Sequence, residues 1–160
     1  MKPLSIVKMA VLSVSLFNVL QATAAMPTCE EEIKEANAFL SSQGMVPVNN
    51  VTDLATTLRH IKNFGRLPDR YNTSDEAKRL GWSGSESESL WGLKPTNQKW
   101  IGGDKYSDRA LPSSQPWLSA DIDVVKGYRS PKRLIYSLSG QQRFITTDKY
   151  QHIVELDPCQ

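Results

Sequence analysis

The sequence predicts an α+β domain, and three observations carry that reading. Helical periodicity is confined to the first half of the chain, alternation with period two appears only after Pro116, and short turns rich in Ser, Gly, Thr and Asp separate the strand-like runs that follow. Helices first and strands afterwards give N-terminal helices packed on an antiparallel β-sheet. No internal repeat and no interdomain linker interrupts the pattern.

Ahead of the first helix stands a different kind of segment. Lys2 and Lys8 precede an uncharged run from Met9 to Leu20, which ends in Ala22-Thr23-Ala24-Ala25. A positive start, a short apolar stretch and small residues before a cut describe a secretory signal peptide, assigned to residues 1–25. The apolar run falls short of the roughly 20 residues needed to span a bilayer. The expectation is an exported protein, periplasmic or extracellular, with no membrane attachment once mature. The whole chain has 19 Lys plus Arg against 17 Asp plus Glu, and Lys2 and Lys8 leave with an acid-free signal, so 17 bases then face 17 acids. A neutral chain exerts no global pull on nucleic acid, and only a local basic patch supplies one.

The remaining chain of about 135 residues suits a single small domain, expected as a monomer. Its two cysteines, Cys29 and Cys159, lie near its two ends. In an exported protein the simplest reading is one structural disulfide. Two cysteines so far apart, with only His60 and His152 to help, match no zinc spacing, so neither a metal nor any other cofactor is expected.

The helices follow from caps and stripes. Thr28 and Glu31 form a capping box before Cys29, Ile33, Ala36 and Leu40, with Gly44 beyond. A second helix starts near Asn50, carries Leu54, Ala55, Leu58 and Ile61, and stops at Gly65. Thr73 and Glu76 cap a short third helix that ends at Gly81. Ser83 to Ser89 reads as a polar, acidic loop, and Ile101-Gly102-Gly103-Asp104 as a turn or bend. Leu118, Ala120, Ile122 and Val124 alternate with Ser119, Asp121 and Asp123, and further strands are expected at 133–137, 143–146 and 150–156.

The chain carries, in this order, Leu67-Pro68-Asp69-Arg70-Tyr71, Leu80-Gly81-Trp82, Ile101-Gly102-Gly103-Asp104, Tyr106-Ser107-Asp108-Arg109, Trp117 to Ile122, Gly127-Tyr128-Arg129, Arg133 to Tyr136, and Thr146 to Gln151. Together these stretches resemble the barnase family of small secreted bacterial ribonucleases. The match runs from about Val48 to Leu156. It divides the chain into a signal peptide (1–25), an N-terminal helical extension (26–47) and a barnase-like domain (48–160).

The resemblance implies RNA cleavage by phosphoryl transfer, in which a carboxylate base and a histidine acid flank an arginine clamp. Arg129 and Arg133 fall at the family's phosphate-binding arginine positions, and Arg109 at a third functional arginine. The other parts depart from the pattern. Ser119 stands where the catalytic glutamate belongs, Lys149 where the histidine belongs, Ala110 at the guanine-reading glutamate, and Ser74 at a functional lysine. Base, acid, base reader and one charge stabiliser have all changed.

An unassisted Ser119 hydroxyl is a poor base near neutral pH. Asp121 and Asp123 share its face by period two as candidate replacements, although Asp121 is expected to pair with Arg129 or Arg133. Lys149 serves either as a substitute acid or as added charge at an anion site. Tyr128 and Tyr150 are candidates to stack on a base, and Lys126 and Lys132 join Arg129 and Arg133 in a basic cluster. His60 and His152 are expected outside the site. Three functions follow from the resemblance: a binder of RNA or another polyanion with lost or reduced cleavage, an endoribonuclease with a non-standard acid–base pair, and a module that binds a barstar-like protein inhibitor.

Overall fold

The computed structural model describes residues 24–160, so the expected signal peptide lies outside the described residues except for Ala24 and Ala25. No helix among the described residues is long and apolar enough to cross a membrane.

The first two helices form where caps and stripes demand them. Helix α1 spans Cys29–Ser42, with Thr28 Oγ1 accepting from the Glu31 N–H while the Glu31 carboxylate accepts from the Thr28 N–H. Helix α2 spans Val51–Phe64; the Asn50 side chain accepts from the Asp53 N–H, and Gly65 closes it in the left-handed region at φ 66°. Helix α3, Ser74–Arg79, opens on the Thr73 capping box. Two 3₁₀ turns, Leu90–Gly92 and Lys94–Thr96, follow.

Six strands make one sheet in sequence order: β1 (Tyr71–Asn72), β2 (Trp100–Tyr106), β3 (Trp117–Asp121), β4 (Arg133–Tyr136), β5 (Arg143–Thr146) and β6 (Val154–Leu156). Every neighbouring pair is antiparallel except β1 with β2.

Alternation assigns the two faces of this sheet. Ala120, Ile122, Leu134, Tyr136, Ile145 and Leu156 pack with Ile33, Leu40, Leu54, Ala55, Leu58 and Ile61 into the main core. Helices α1 and α2 therefore cover the back of the sheet. Trp117, Ile135 and Phe144 point to the other face, where they form a smaller cluster with Leu111. Ser119, Asp121 and Arg133 share that front face.

The Cys29–Cys159 disulfide closes the back layer, with the two Cα atoms 4.8 Å apart. Backbone bonds from Cys29 N to Gln160 O and from Gln160 N to Pro27 O, each 3.0 Å, lay the C-terminal tail along the start of α1.

Four local expectations are corrected. The 101–104 segment is strand, not turn: it lies inside β2, and a register shift between Gly102 and Asp104 absorbs the glycine pair. An added Cβ on Gly102 would stand 2.5 Å from the Tyr71 ring, so the glycine there reflects close packing. Strand β3 stops at Asp121, because Asp123 turns to φ 54° and sends its carboxylate to the Asn49 and Asn50 N–H groups at 2.7 and 2.9 Å. Asp123 therefore does not share the face of Ser119.

Lys132 leaves the basic cluster too. Its buried ammonium donates to Asp123 and to the Pro47 carbonyl, tying the segment before α2 to the sheet. Finally, the last strand is confined to Val154–Leu156. Lys149 and Tyr150 adopt positive φ, and Asp148 accepts from the His152 N–H while Thr146 Oγ1 accepts from the Tyr150 N–H. The 147–152 segment is thus a tight turn at the end of β5.

Candidate anion-binding site

The site is assembled from strand ends and turns on the front face. Register places Asp121 at the end of β3 directly opposite Arg133 at the start of β4. Arg129 arrives from the connection between these strands, and its Nε and Nη2 donate to the two Asp121 carboxylate oxygens, both at 2.8 Å. This bidentate pairing fixes the guanidinium plane.

Arg133 is only 1% exposed. Its Nε lies 3.0 Å from Asp121 Oδ1, an ion pair whose N–H is not aligned as a hydrogen bond. Its Nη1 donates to the carbonyls of Ser130 and Lys132. The remaining nitrogen, Nη2, faces outward toward Glu86 at 3.8 Å. A buried guanidinium held in this way is a rigid donor aimed at one place. Burial pushes the Asp121 carboxyl above the ordinary aspartate range, outweighing the two guanidiniums that pull it down.

Lys149, on the 147–152 turn, has its main chain fixed by donation to the Pro131 carbonyl at 2.9 Å. Its Nζ donates to Glu86 Oε2 at 2.8 Å. Lys149 and Arg133 thus converge on one carboxylate. Ser119 stands two residues before Asp121, 7% exposed, opposite Asp104 on β2 and Ile135 on β4. Asp104 does not meet a cation there: its carboxylate accepts from the Ser74 N–H at 2.8 Å and from the Ser74 hydroxyl. Where the resemblance implies a functional lysine, Ser74 instead joins β2 to the start of α3.

Tyr150 is brought to the site, its ring 5.9 Å from Arg133 Cζ. Its other neighbour is Tyr106, stacked at 4.3 Å between centroids with planes 17° apart. That separation is a direct stack and leaves no room for a third ring between the two. The Tyr106 hydroxyl donates to Asp108, which also accepts from the Ala110 N–H, both at 2.8 Å.

Lys126 and Tyr128 are exposed on the β3–β4 connection, and Arg109 is exposed on the turn after β2. His60 bonds the Arg66 carbonyl on the helical side, and His152 is tied to Asp148 at 2.5 Å. Neither reaches the cluster.

Sequence reasoning missed Glu86, which lies in a serine-rich loop with no periodicity to give it a direction. It also gave no role to Asp104, whose place in Ile101-Gly102-Gly103-Asp104 was the available signal.

A helix-backed sheet whose other face gathers two guanidiniums, an ammonium and two carboxylates defines a class, the small α+β protein with a charged cluster at its strand ends. No protein-family model matches the chain. Curated relatives narrow the class. A ribonuclease of Bacillus intermedius is 33% identical over 134 residues, spanning 81% of this chain and 80% of that protein. One of Bacillus pumilus is 35% identical over 132 residues, 80% of this chain and 77% of its own. One of Heyndrickxia coagulans is 41% identical over 95 residues, covering 57% of this chain and 84% of that protein. The chain belongs to the barnase-type family of bacterial ribonucleases.

Proposed function

We propose that this is an exported ribonuclease-fold protein that binds RNA, or another phosphate-bearing polyanion, through Arg129, Arg133 and Lys149, with cleavage lost or much reduced. The observation that carries the reading is the buried Arg133 guanidinium, braced by Asp121 and two carbonyls, with Nη2 and Lys149 Nζ converging on one anionic group. Tetrahedral phosphate presents several acceptor oxygens to such donors. Asp121 acts as a positioning residue, holding both arginines in place.

The proton-transfer parts are poorly supplied. The Ser119 hydroxyl has no basicity to offer near neutral pH. Asp121 is committed to Arg129 through both oxygens and is not free to take a proton from a ribose. Loss of a general acid or base costs roughly 10²–10⁴-fold each. Arg109, Lys126 and Tyr128 form the rim along which the rest of the strand lies, and Tyr150 offers a base only the ring face turned away from Tyr106.

A second reading, an active endoribonuclease with Lys149 as acid, is favoured by the relatives' being ribonucleases over most of their length. A module that occupies a barstar-like inhibitor is the third, and inhibitor binding without RNA binding would point to it.

The test is binding of a fluorescein-labelled, non-cleavable 2′-O-methyl RNA followed by anisotropy across a salt series. One phosphate in the clamp and one each at Arg109 and Lys126 predict a slope of log K against log salt of about −2, and Lys149→Ala weakens binding at every salt concentration. Binding that ignores salt, or an affinity unmoved in Lys149→Ala, contradicts the proposal.

A further inference from the structure

The anion seat already holds an anion of the protein's own. The Glu86 carboxylate bonds Lys149 Nζ at 2.8 Å through Oε2 and faces Arg133 Nη2 at 3.8 Å through Oε1. The cluster then contains three cations (Arg129, Arg133, Lys149) and two carboxylates (Asp121, Glu86), so it is net +1 with Glu86 in place and +2 without it.

The loop that delivers Glu86 is organised for the task. Ser85 and Ser87, on either side, join hydroxyls at 2.7 Å. Glu88 accepts from the Ser83 N–H at 2.9 Å, closing the loop on itself. The loop's end is docked beside the site by Ser89 Oγ donating to the Lys126 carbonyl at 2.6 Å and Leu90 N to Gly127 O at 3.0 Å. An added Cβ on Gly127 would stand 2.6 Å from both Ser89 Oγ and the Trp91 ring, so the two connections pack without slack. The pairing itself is half-exposed, with 45% of the Glu86 side chain and 55% of the Lys149 side chain accessible. A contact of that kind is weak enough to be displaced. The hydrogen bond from Lys149 and the nearby lysine and arginine charges hold the Glu86 carboxyl below the usual glutamate range, so it is an anion at neutral pH.

We infer that Glu86 is an internal competitor for the phosphate seat, an autoinhibitory carboxylate that a phosphate group must displace from Lys149 and Arg133 before it binds. This rests on the phosphate reading of the site given above. The affinity of a ligand whose seat is open only part of the time falls by the open fraction. An exposed ion pair of ordinary strength sets that fraction so that freeing the seat tightens binding by roughly threefold to tenfold.

The experiment compares the original chain, Glu86→Gln, Glu88→Gln and Lys149→Ala for affinity toward the same 2′-O-methyl RNA at one low salt concentration. Glu88→Gln removes an equal charge from the same loop at a carboxylate that contacts Ser83 and not Lys149. The inference expects Glu86→Gln to bind threefold to tenfold tighter, with Glu88→Gln within twofold of the original. Equal binding by the original and Glu86→Gln, with Lys149→Ala weaker than both, overturns the competitor and leaves the phosphate seat standing. Weaker binding by Glu86→Gln overturns it in favour of a carboxylate that assists the ligand. Equal tightening in both glutamine variants reduces it to net charge. No binding by any of the four overturns both readings together.

Discussion

The two faces of the sheet hold their shape by different means. The back is an apolar layer in which Ile33, Leu54, Ala55, Leu134 and Ile145 are almost wholly inaccessible, and a disulfide joins the helix α1 end to the C-terminal tail. The front is organised by charge: Asp121 braces two arginines, and a loop glutamate reaches Lys149 and Arg133. Burial contributes stability roughly in proportion to area and tolerates changes of chemistry poorly. The exposed Glu86–Lys149 pair contributes little stability and can be exchanged for a ligand, whereas the buried Asp121–Arg133 pair is costly to break by removing one partner. The back and the buried Asp121–Arg133 pair are therefore where substitutions should unfold the protein, and the exposed part of the front is where they should alter what it binds.

The disulfide offers the sharpest way to separate the faces. Cys29→Ser/Cys159→Ser opens a loop spanning 130 residues of sequence separation and should lower the unfolding free energy by about 2–4 kcal/mol in urea titrations. RNA affinity of the protein that remains folded should stay within twofold of the original. A large loss of affinity in the folded variant would mean that the back layer sets the front geometry, and the comparison would break.

A smaller effect comes from Glu30 on α1 and Arg59 on α2, which pair across the two helices. Arg59's hydrogen bonds are the main cause that lowers the Glu30 carboxyl from 4.5 to about 2. A carboxyl lowered by folding contributes stability in full above its unfolded value, and loses it as pH falls through the folded one. The stability gap between the original chain and Arg59→Met should therefore be constant above about pH 5 and shrink as pH falls toward 2. Urea unfolding at a series of pH values reads this, and a gap that does not change with pH would remove the pair from the account of how the helices are held.

The same contrast explains how much of the molecule was legible in its sequence. The back was written in repeating terms. Thr28–Glu31 is a local capping signal, the stripes of α1 and α2 each need only one helix, and both cysteines could be paired without knowing the fold. The front depends on register and on backbone turns. Asp121 meets Arg133 because β3 and β4 align there, and the family resemblance, not periodicity, pointed to that cluster. Where single residues leave the extended conformation, as at Asp123, Lys149 and Tyr150, alternation misassigned the strand ends. Lys132 looked like one more site cation until its partner Asp123 was found to have turned away from the strand. Glu86 was invisible because nothing in Ser83-Gly84-Ser85-Glu86-Ser87-Glu88-Ser89 gives the loop a direction.

The proposed function keeps the clamp where the proton chemistry is lost. Its most direct test incubates a guanosine-containing RNA with the original protein, with Arg133→Ala checked for folding by circular dichroism, and with Ser119→Glu/Lys149→His. The account predicts no cleavage by the original protein above that of Arg133→Ala, and cleavage emerging in the double variant. Cleavage by the original protein that disappears in a folded Arg133→Ala would contradict it, and would make the chain a working ribonuclease with an unusual acid–base pair.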